Sequence, residues 1–332
     1  MKKRLMLKLG IRVSSSSSSG RGHFERCLEI RRHINEKVFW FLDNESQFIK
    51  NKISKLDELY YENGKNTYDS VRKLMTNNYL NCVLVDSYHI NCKEIYNINN
   101  KIPIMAILDK NIITKANIVI CPQPIKEPNI KGTKYFCGPK YAPISNKFIS
   151  KDHKNRIKNK ILISFGSYDS LGITLNAIKA VKNLVIDKSS SSDIVITLAE
   201  ESPIIDQVKD LIKNFSNFQL VLDSKNMEYI YKYCNIAIGA PGLSYLERMA
   251  SGLPSLLIPQ NKTHESLIDM WVKLGCGFRA ENSINSIEKN LKFLLFNDKL
   301  RKELIKIGEN LVDGKGAKRI ANEIINMVKQ ND

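Results

Sequence analysis

The run RVSSSSSSGRGHFER, residues 12–26, places a histidine behind two closely spaced glycines. Gly20 and Gly22 permit tight turns and close backbone approach. His23 then falls at the start of the helix expected after them. There the helix dipole disfavours an imidazolium, so His23 reads as a neutral base near pH 7. The position equally suits a helix cap or a phosphate contact, and the loop alone does not choose. The run lacks the third glycine of a G-x-G-x-x-G dinucleotide fingerprint.

A second cluster is Gly239-Ala240-Pro241-Gly242-Leu243-Ser244, with Glu247 one helical turn further on. A strand entering a small-residue turn and then a helix exposes amides that cradle a diphosphate. Glu247 is then suited to accept from ribose hydroxyls. The plain alternative is an ordinary Gly-Pro turn with a surface glutamate. Phe165-Gly166-Ser167-Tyr168-Asp169 repeats the strand-to-helix turn, and its backbone is also expected to face phosphates. Asp86-Ser87-Tyr88-His89 lies at the carboxyl end of a strand, the edge where open α/β sheets bind ligands. Asn261 to Glu265 opens a late helix. His264 there is a candidate substrate contact and Glu265 a candidate nucleotide contact, with a solvated cap as the alternative.

Other chemistries fail simple tests. There is no GxxxxGK[ST] phosphate loop, no GxSxG elbow and no HExxH pair. The five histidines (His23, His33, His89, His153, His264) show no zinc spacing. No metal and no cofactor are therefore expected.

The elements needed to hold these loops alternate. Strands are expected at residues 5–13, 38–42, 82–86, 102–108 and 118–121, with helices at 23–34 and 69–78. The pattern restarts with strands at 160–165, 193–198, 218–222, 236–239 and 255–259. Helices fall between them, and three more close the chain at 284–296, 298–311 and 314–329. Alternating β and α elements predict parallel sheets covered by helices. At roughly 100–200 residues per domain, 332 residues suggest two. We expect an α/β protein of two Rossmann-like domains facing across a cleft: a sugar-handling and catalytic domain at 1–150 and a nucleotide domain at 151–332. The linker is expected at residues 150–159, and the last helix is free to pack back on the first domain.

Composition narrows the partners. Hydrophobic residues make up 43% of the chain, enough for a substantial core. The net charge of +17 comes from lysines scattered among asparagines and isoleucines, which fits a solvated surface better than a nucleic-acid stripe. No nucleic-acid partner is expected. The seven cysteines form no CxxC pair and are odd in number, which fits a reducing, cytoplasmic setting. The apolar start is too short to span a bilayer, so no integral membrane segment is expected. Oligomeric state is left open, with a monomer as the default.

Read together, RVSSSSSSGRGHFERC, VDSYHI, GPKYAPIS, ISFGSYDSLGITL and GAPGLSYLERMASGLPSLLIP resemble the hydrolases of pseudaminic acid biosynthesis and the related spore-coat polysaccharide proteins. The likeness is collinear from about residue 5 to 280. It implies a glycosyltransferase-B fold and release of UDP from UDP-2,4-diacetamido-2,4,6-trideoxy-β-L-altropyranose. It implies that His23 serves the hydrolytic step. Arg12, Ser14, Gly20, Gly22, Asp86, Tyr88 and His264 would then meet the sugar, and residues 239–244 with Glu247 would hold UDP. Four positions depart from the family pattern. Ser14 replaces an aspartate and Ser19 an apolar residue; Thr263-His264 replaces Asn-Gln, and Asp109-Lys110 replaces Asp-Asp. A glycosyltransferase of the same fold and a catalytically altered nucleotide-sugar binder stay open as alternatives.

Overall fold

The computed structural model describes residues 6–15, 21–62, 69–77, 79–87, 92–109, 114–150, 156–186 and 192–330. By internal contacts the chain divides into two units: Met1–Ile144 with Lys315–Asp332, and Ser145–Gly314. Among the described residues, no helix is long and apolar enough to cross a membrane.

The first unit runs β1 (Leu9–Val13), α1 (Gly22–Arg31), β2 (Val38–Leu42), α2 (Gln47–Lys50), β3 (Glu58–Tyr61), α3 (Asp69–Thr76), β4 (Cys82–Asp86), α4 (Cys92–Ile98), β5 (Ile104–Ile107), β6 (Ile118–Cys121) and β7 (Lys134–Cys137). The sheet order is β3-β2-β1-β4-β5-β6-β7, with every pair parallel. Central strands such as CVLVD and IMAI are buried at every position. That is what a parallel sheet covered on both faces requires, and it is why these strands read as unbroken apolar runs. Alternate residues feed different cores. Leu84 packs with Ile11, Phe24 and Trp40, while Val83 and Val85 pack with Phe41, Val71 and Ile104.

The second unit runs β8 (Lys160–Ser164), α5 (Ile173–Ile186), β9 (Asp193–Leu198), α6 (Ile205–Ile212), β10 (Phe218–Leu222), α7 (Met227–Tyr233), β11 (Ile236–Gly239), α8 (Leu243–Ala250), β12 (Ser255–Leu257), α9 (Lys262–Lys273), β13 (Phe278–Arg279), α10 (Ile284–Phe296) and α11 (Asp298–Leu311). Its order, β10-β9-β8-β11-β12-β13, repeats the winding of the first sheet, again all parallel. Each unit therefore has a switch point where the strand order reverses: β1/β4 in the first and β8/β11 in the second. Open α/β sheets bind ligands at that point.

The division between the units falls at Ile144/Ser145, before the basic stretch expected to link them. Residues 145–150 are tied into the second unit: Ser251 Oγ donates to the Phe148 carbonyl at 2.8 Å, and Phe148 packs on Tyr231. The closing helix α12 (Gly316–Gln330) belongs to the first unit. Ala317, Ile320, Ala321 and Ile324, spaced for one helix face, enter the core around Phe24 and Cys27. Gly316 lets this helix start against residue 142, because a Cβ there would overlap the Ala142 carbonyl. Gly316→Ala is expected to cost about 1–3 kcal/mol as overpacking. A fall in the urea midpoint at unchanged slope would register it.

The elements α2, α4, β3, β7 and β13 are absent from the sequence reading, and two of the strands, β3 and β13, share a cause. The strand β3 is half-buried throughout at a sheet edge, and β13 is two residues long at the other sheet's edge. Neither carries the continuous apolar run that marks a central strand. The first strand starts at Leu9, after residues 6–8 expected in it, while residue 5 lies outside the described residues; α1 ends at Arg31 instead of 34.

Candidate active site

At the first switch point, Val13 pairs with Asp86, the last residue of β4. The Ser14 amide donates to the Asp86 carbonyl at 3.1 Å. The helix α1 puts His23, Arg26 and Cys27 on one face, three and four residues apart. All three converge on the Asp86 carboxylate. His23 Nδ1 lies 2.6 Å from Oδ1, and Arg26 grips both oxygens through Nε and Nη2 at 2.5 Å each. The Cys27 thiol donates to Oδ2 at 3.4 Å. Arg26 Nη1 reaches on to Asp109 Oδ1 at 2.7 Å, just past β5.

Burial alone would raise the Asp86 carboxyl, but Arg26 and His23 outweigh it and hold the group below the usual aspartate range. An ionised carboxylate only accepts hydrogen bonds. His23 Nδ1 therefore carries the proton toward Asp86, although Arg26 Nη2 also lies 3.1 Å from that nitrogen. This tautomer leaves Nε2 as the basic atom. A carboxylate behind an imidazole fixes its orientation and stabilises the imidazolium formed during proton transfer. Burial first, then Asp86, pushes the Cys27 thiol well up, so it is a donor and not a nucleophile. The cap of α1 is Arg21, without a side-chain bond, so His23 is not the cap.

Several expected sugar contacts have other work. Arg12 is completely buried and pairs with Asp43 Oδ1 at 2.6 Å. The other Asp43 oxygen accepts from the Ser15 amide, and Ser15 Oγ accepts from the Asp43 amide, both at 3.0 Å. Arg12 thus fastens the loop after β1 to the end of β2 and is a positioning residue. Ser14, also fully buried, donates to Ser87 Oγ at 2.7 Å and ties the two switch-point loops together. Asp86 is engaged by His23, Arg26 and Cys27. Gly22 opens α1, and among the described residues nothing lies within 4 Å of where a Cβ would stand. Gly20 and Tyr88 lie outside the described residues, as do Ser19, His89 and Lys110.

At the second switch point, Gly239 pairs with Ser164. The chain then turns through buried Ala240 and Pro241 to Gly242, which caps α8 without a side-chain bond. The leading amides of a helix have no intrahelical partner and suit an anion. Leu243 and Ser244 carry them and are half-buried. Glu247 accepts from Tyr231 Oη at 3.3 Å, and burial first, then Glu247, keeps that phenol well above its usual pKa as a donor.

The turn at Gly166 behaves differently from expectation. Gly166 adopts a φ of 88°, in the left-handed region, and among the described residues nothing lies within 4 Å of where a Cβ would stand. The Ser167 carbonyl is taken by the Ala199 amide. The amides opening α5 are already occupied. Asp169 accepts from Ile173 at 3.2 Å and Thr174 at 2.7 Å, so its carboxylate sits where a phosphate would. Of the two helix N-termini expected to meet a diphosphate, that of α8 alone keeps its amides clear of a capping carboxylate. The helix α9 is capped by Asn261, which accepts from the His264 amide at 2.9 Å. His264 Nδ1 faces the Gln260 amide at 3.4 Å, and Gln260 Nε2 donates to the Phe165 carbonyl at 3.2 Å. Glu265 is exposed. Among the described residues, no group of three or more His, Cys, Asp or Glu side chains is gathered as a metal site.

Sequence reasoning gave no role to the side chains of Arg26, Asp43, Asp169, Arg248 and Gln260. Two signals were available. Asp43 ends the apolar run VFWFL as Asp86 ends CVLV, and Arg26 stands three residues from His23.

No family model matches the chain. Among curated proteins it is 24% identical over 293 residues to an uncharacterized protein of Methanocaldococcus jannaschii, covering 80% of this chain and 58% of that one. It is 24% identical over 306 residues to the pseudaminic acid cytidylyltransferase and UDP-2,4-diacetamido-2,4,6-trideoxy-beta-L-altropyranose hydrolase of Helicobacter pylori, covering 85% and 52%. It is 22% identical to the spore coat polysaccharide biosynthesis protein SpsG of Bacillus subtilis, covering 60% of each. The chain thus spans just over half the length of these relatives. Similar solved structures include an S. aureus MnaA-UDP complex (TM-score 0.71, 12% identity, 98% and 97% covered). A glycosyltransferase of Rickettsia africae (0.68, 14%, 98% and 99%) and Acinetobacter baumannii MurG (0.62, 13%, 96% and 100%) are further examples. At these identities the likeness establishes the fold: two parallel-sheet α/β domains of the glycosyltransferase-B kind.

Proposed function

We propose that this chain is a UDP-sugar hydrolase. It would cleave the anomeric C–O bond of a UDP-linked diacetamido-trideoxy sugar, releasing free sugar and UDP, as a step toward a nonulosonic acid. The observation that carries the reading is the His23–Asp86–Arg26 cluster, with Nδ1 held by a carboxylate and Nε2 left as the base. Its position at a switch point and the partial relationship to the Helicobacter pylori hydrolase support it.

His23 Nε2 takes a proton from water as the water oxygen bonds to the anomeric carbon. The bond from that carbon to the diphosphate oxygen breaks, and its electron pair leaves with UDP. Asp86 balances the imidazolium while Arg26 keeps Asp86 in place. The diphosphate is held at the N-terminus of α8, where amides and dipole stabilise the charge gained on departure. A nucleoside diphosphate is a good leaving group, so the general acid of ordinary glycosidases is not required. Inversion at the anomeric carbon follows from attack opposite the leaving group.

The second reading is a glycosyltransferase, with an acceptor hydroxyl in place of water. The likeness to solved glycosyltransferases favours it. A panel of UDP-linked acetamido and diacetamido sugars, incubated without acceptor and followed by proton NMR, separates the two. Free sugar and UDP in equal amounts are expected. UDP release that appears only on adding an acceptor would replace hydrolysis with transfer.

A further inference from the structure

We propose that Arg248 is a built-in counter-charge for a phosphate-bearing ligand at the turn 239–244, sealed beneath the backbone that the ligand covers. The inference rests on a nucleoside diphosphate occupying that turn and names the residue that makes the turn selective for anions.

Arg248 lies in the second turn of α8. Helical side chains lean toward the helix N-terminus, so the guanidinium runs back under the turn. Its Nη2 donates to the Ala240 carbonyl at 2.8 Å. It passes so close to Gly239 that a Cβ there would overlap both Nη1 and the Ser164 carbonyl. The side chain is completely buried, with Cζ 5.6 Å from the Tyr245 ring centroid. Among the described residues, Nε and Nη1 have no hydrogen-bond partner. Among the described residues, no carboxylate lies within ion-pair distance. The neighbouring Glu247 is turned to Tyr231.

A buried guanidinium is normally matched by a carboxylate, because an unmatched charge in the interior is costly. A purely structural role would be served by an apolar side chain of similar length without that cost. The arrangement makes sense when the missing negative charge arrives with a ligand. The α8 amides and the guanidinium then act on the anion together, through protein and not through water. By holding the Ala240 carbonyl from below, Arg248 also keeps that oxygen turned away from the anion.

The test compares UDP, inorganic pyrophosphate and uridine by calorimetry for wild type, Arg248→Met and Arg248→Gln. Both variants are expected to bind UDP and pyrophosphate roughly ten- to hundredfold more weakly, the scale of a unit charge removed several ångströms from an anion in a medium of effective dielectric constant about 20. Uridine affinity is expected to stay within about threefold. Unliganded Arg248→Met is expected to melt no lower than wild type, since an uncompensated charge has been removed. UDP affinity unchanged in the variants, or UDP and uridine weakened in parallel, overturns the proposal. Should Arg248→Met not fold, Arg248→Gln decides, because it keeps a donor without the charge. Wild type that binds neither UDP nor pyrophosphate also overturns it. Wild type that binds both but hydrolyses no UDP-sugar removes the hydrolase reading and leaves the role of Arg248 standing.

Discussion

Replacing His23 with alanine is expected to lower UDP release by roughly 10²–10⁴-fold, the usual worth of a positioned general base, while UDP affinity stays unchanged. The separation follows from the architecture. His23 belongs to the first unit, whereas the residues expected to hold UDP, 239–244, belong to the second. The fold tolerates the change because Asp86 keeps both bonds to Arg26, so no buried carboxylate is stranded. Steady-state turnover with a UDP-sugar, set beside calorimetric UDP binding, reads the two quantities independently. Near-wild-type turnover in His23→Ala would sink the assignment.

Asp86→Asn is expected to lose activity and stability together. The asparagine keeps the shape but removes the charge that balances Arg26 and would balance a His23 imidazolium. Breaking a buried pair costs about 3–5 kcal/mol, and we place this one at the low end because Arg26 retains Asp109. The pH dependence has a definite sign. The folded carboxyl is held below its usual range, so its stabilisation is complete above the unfolded value of about 4 and is lost as pH falls through the lower folded value. Wild-type stability should therefore fall below about pH 4 more steeply than that of Asp86→Asn. Urea midpoints measured from pH 7 to pH 3 test this, and parallel curves for the two proteins would count against it. The amide also disturbs the tautomer. Its NH₂ can turn toward Nδ1 and move the imidazole proton to Nε2, so turnover should drop roughly as far as in His23→Ala.

Much of the scaffold was legible in the sequence, for a physical reason. Central strands of a covered parallel sheet have no solvent face, so LGIRV, CVLVD, KILIS and IAIG stand out as short apolar runs. Polar and glycine residues at their carboxyl ends mark where the chain leaves the sheet, which is where both candidate clusters lie. His23 and Asp86 were both visible there as candidates. Their partnership was not, because 63 residues separate them and the β1/β4 pairing brings them together.

The charges were harder to read. Arg12, Arg26 and Arg248 look alike in sequence, and each has a different task. Arg12 is matched by Asp43 and Arg26 by Asp86 and Asp109, whereas Arg248 donates to the Ala240 carbonyl with no carboxylate in ion-pair distance among the described residues. The matching depends on which strand ends become neighbours, and local composition does not encode that. The turn at Gly166 makes the same point. Its pattern repeats that of Gly239, but Asp169 folds back onto the amides of α5 and closes the anion site that the pattern suggests.

By itself, then, the sequence determined the two sheets, the succession of their central elements and the loops that carry chemistry, because burial of apolar strands and turn chemistry act over a few residues. Tertiary structure alone decided which side chains meet. It turned Arg12 from a ligand contact into a fastening, gave His23 its carboxylate, and left a guanidinium under one glycine-rich turn and a carboxylate over the other. Electrostatic partnership is set by distances through space, and only the folded chain defines them.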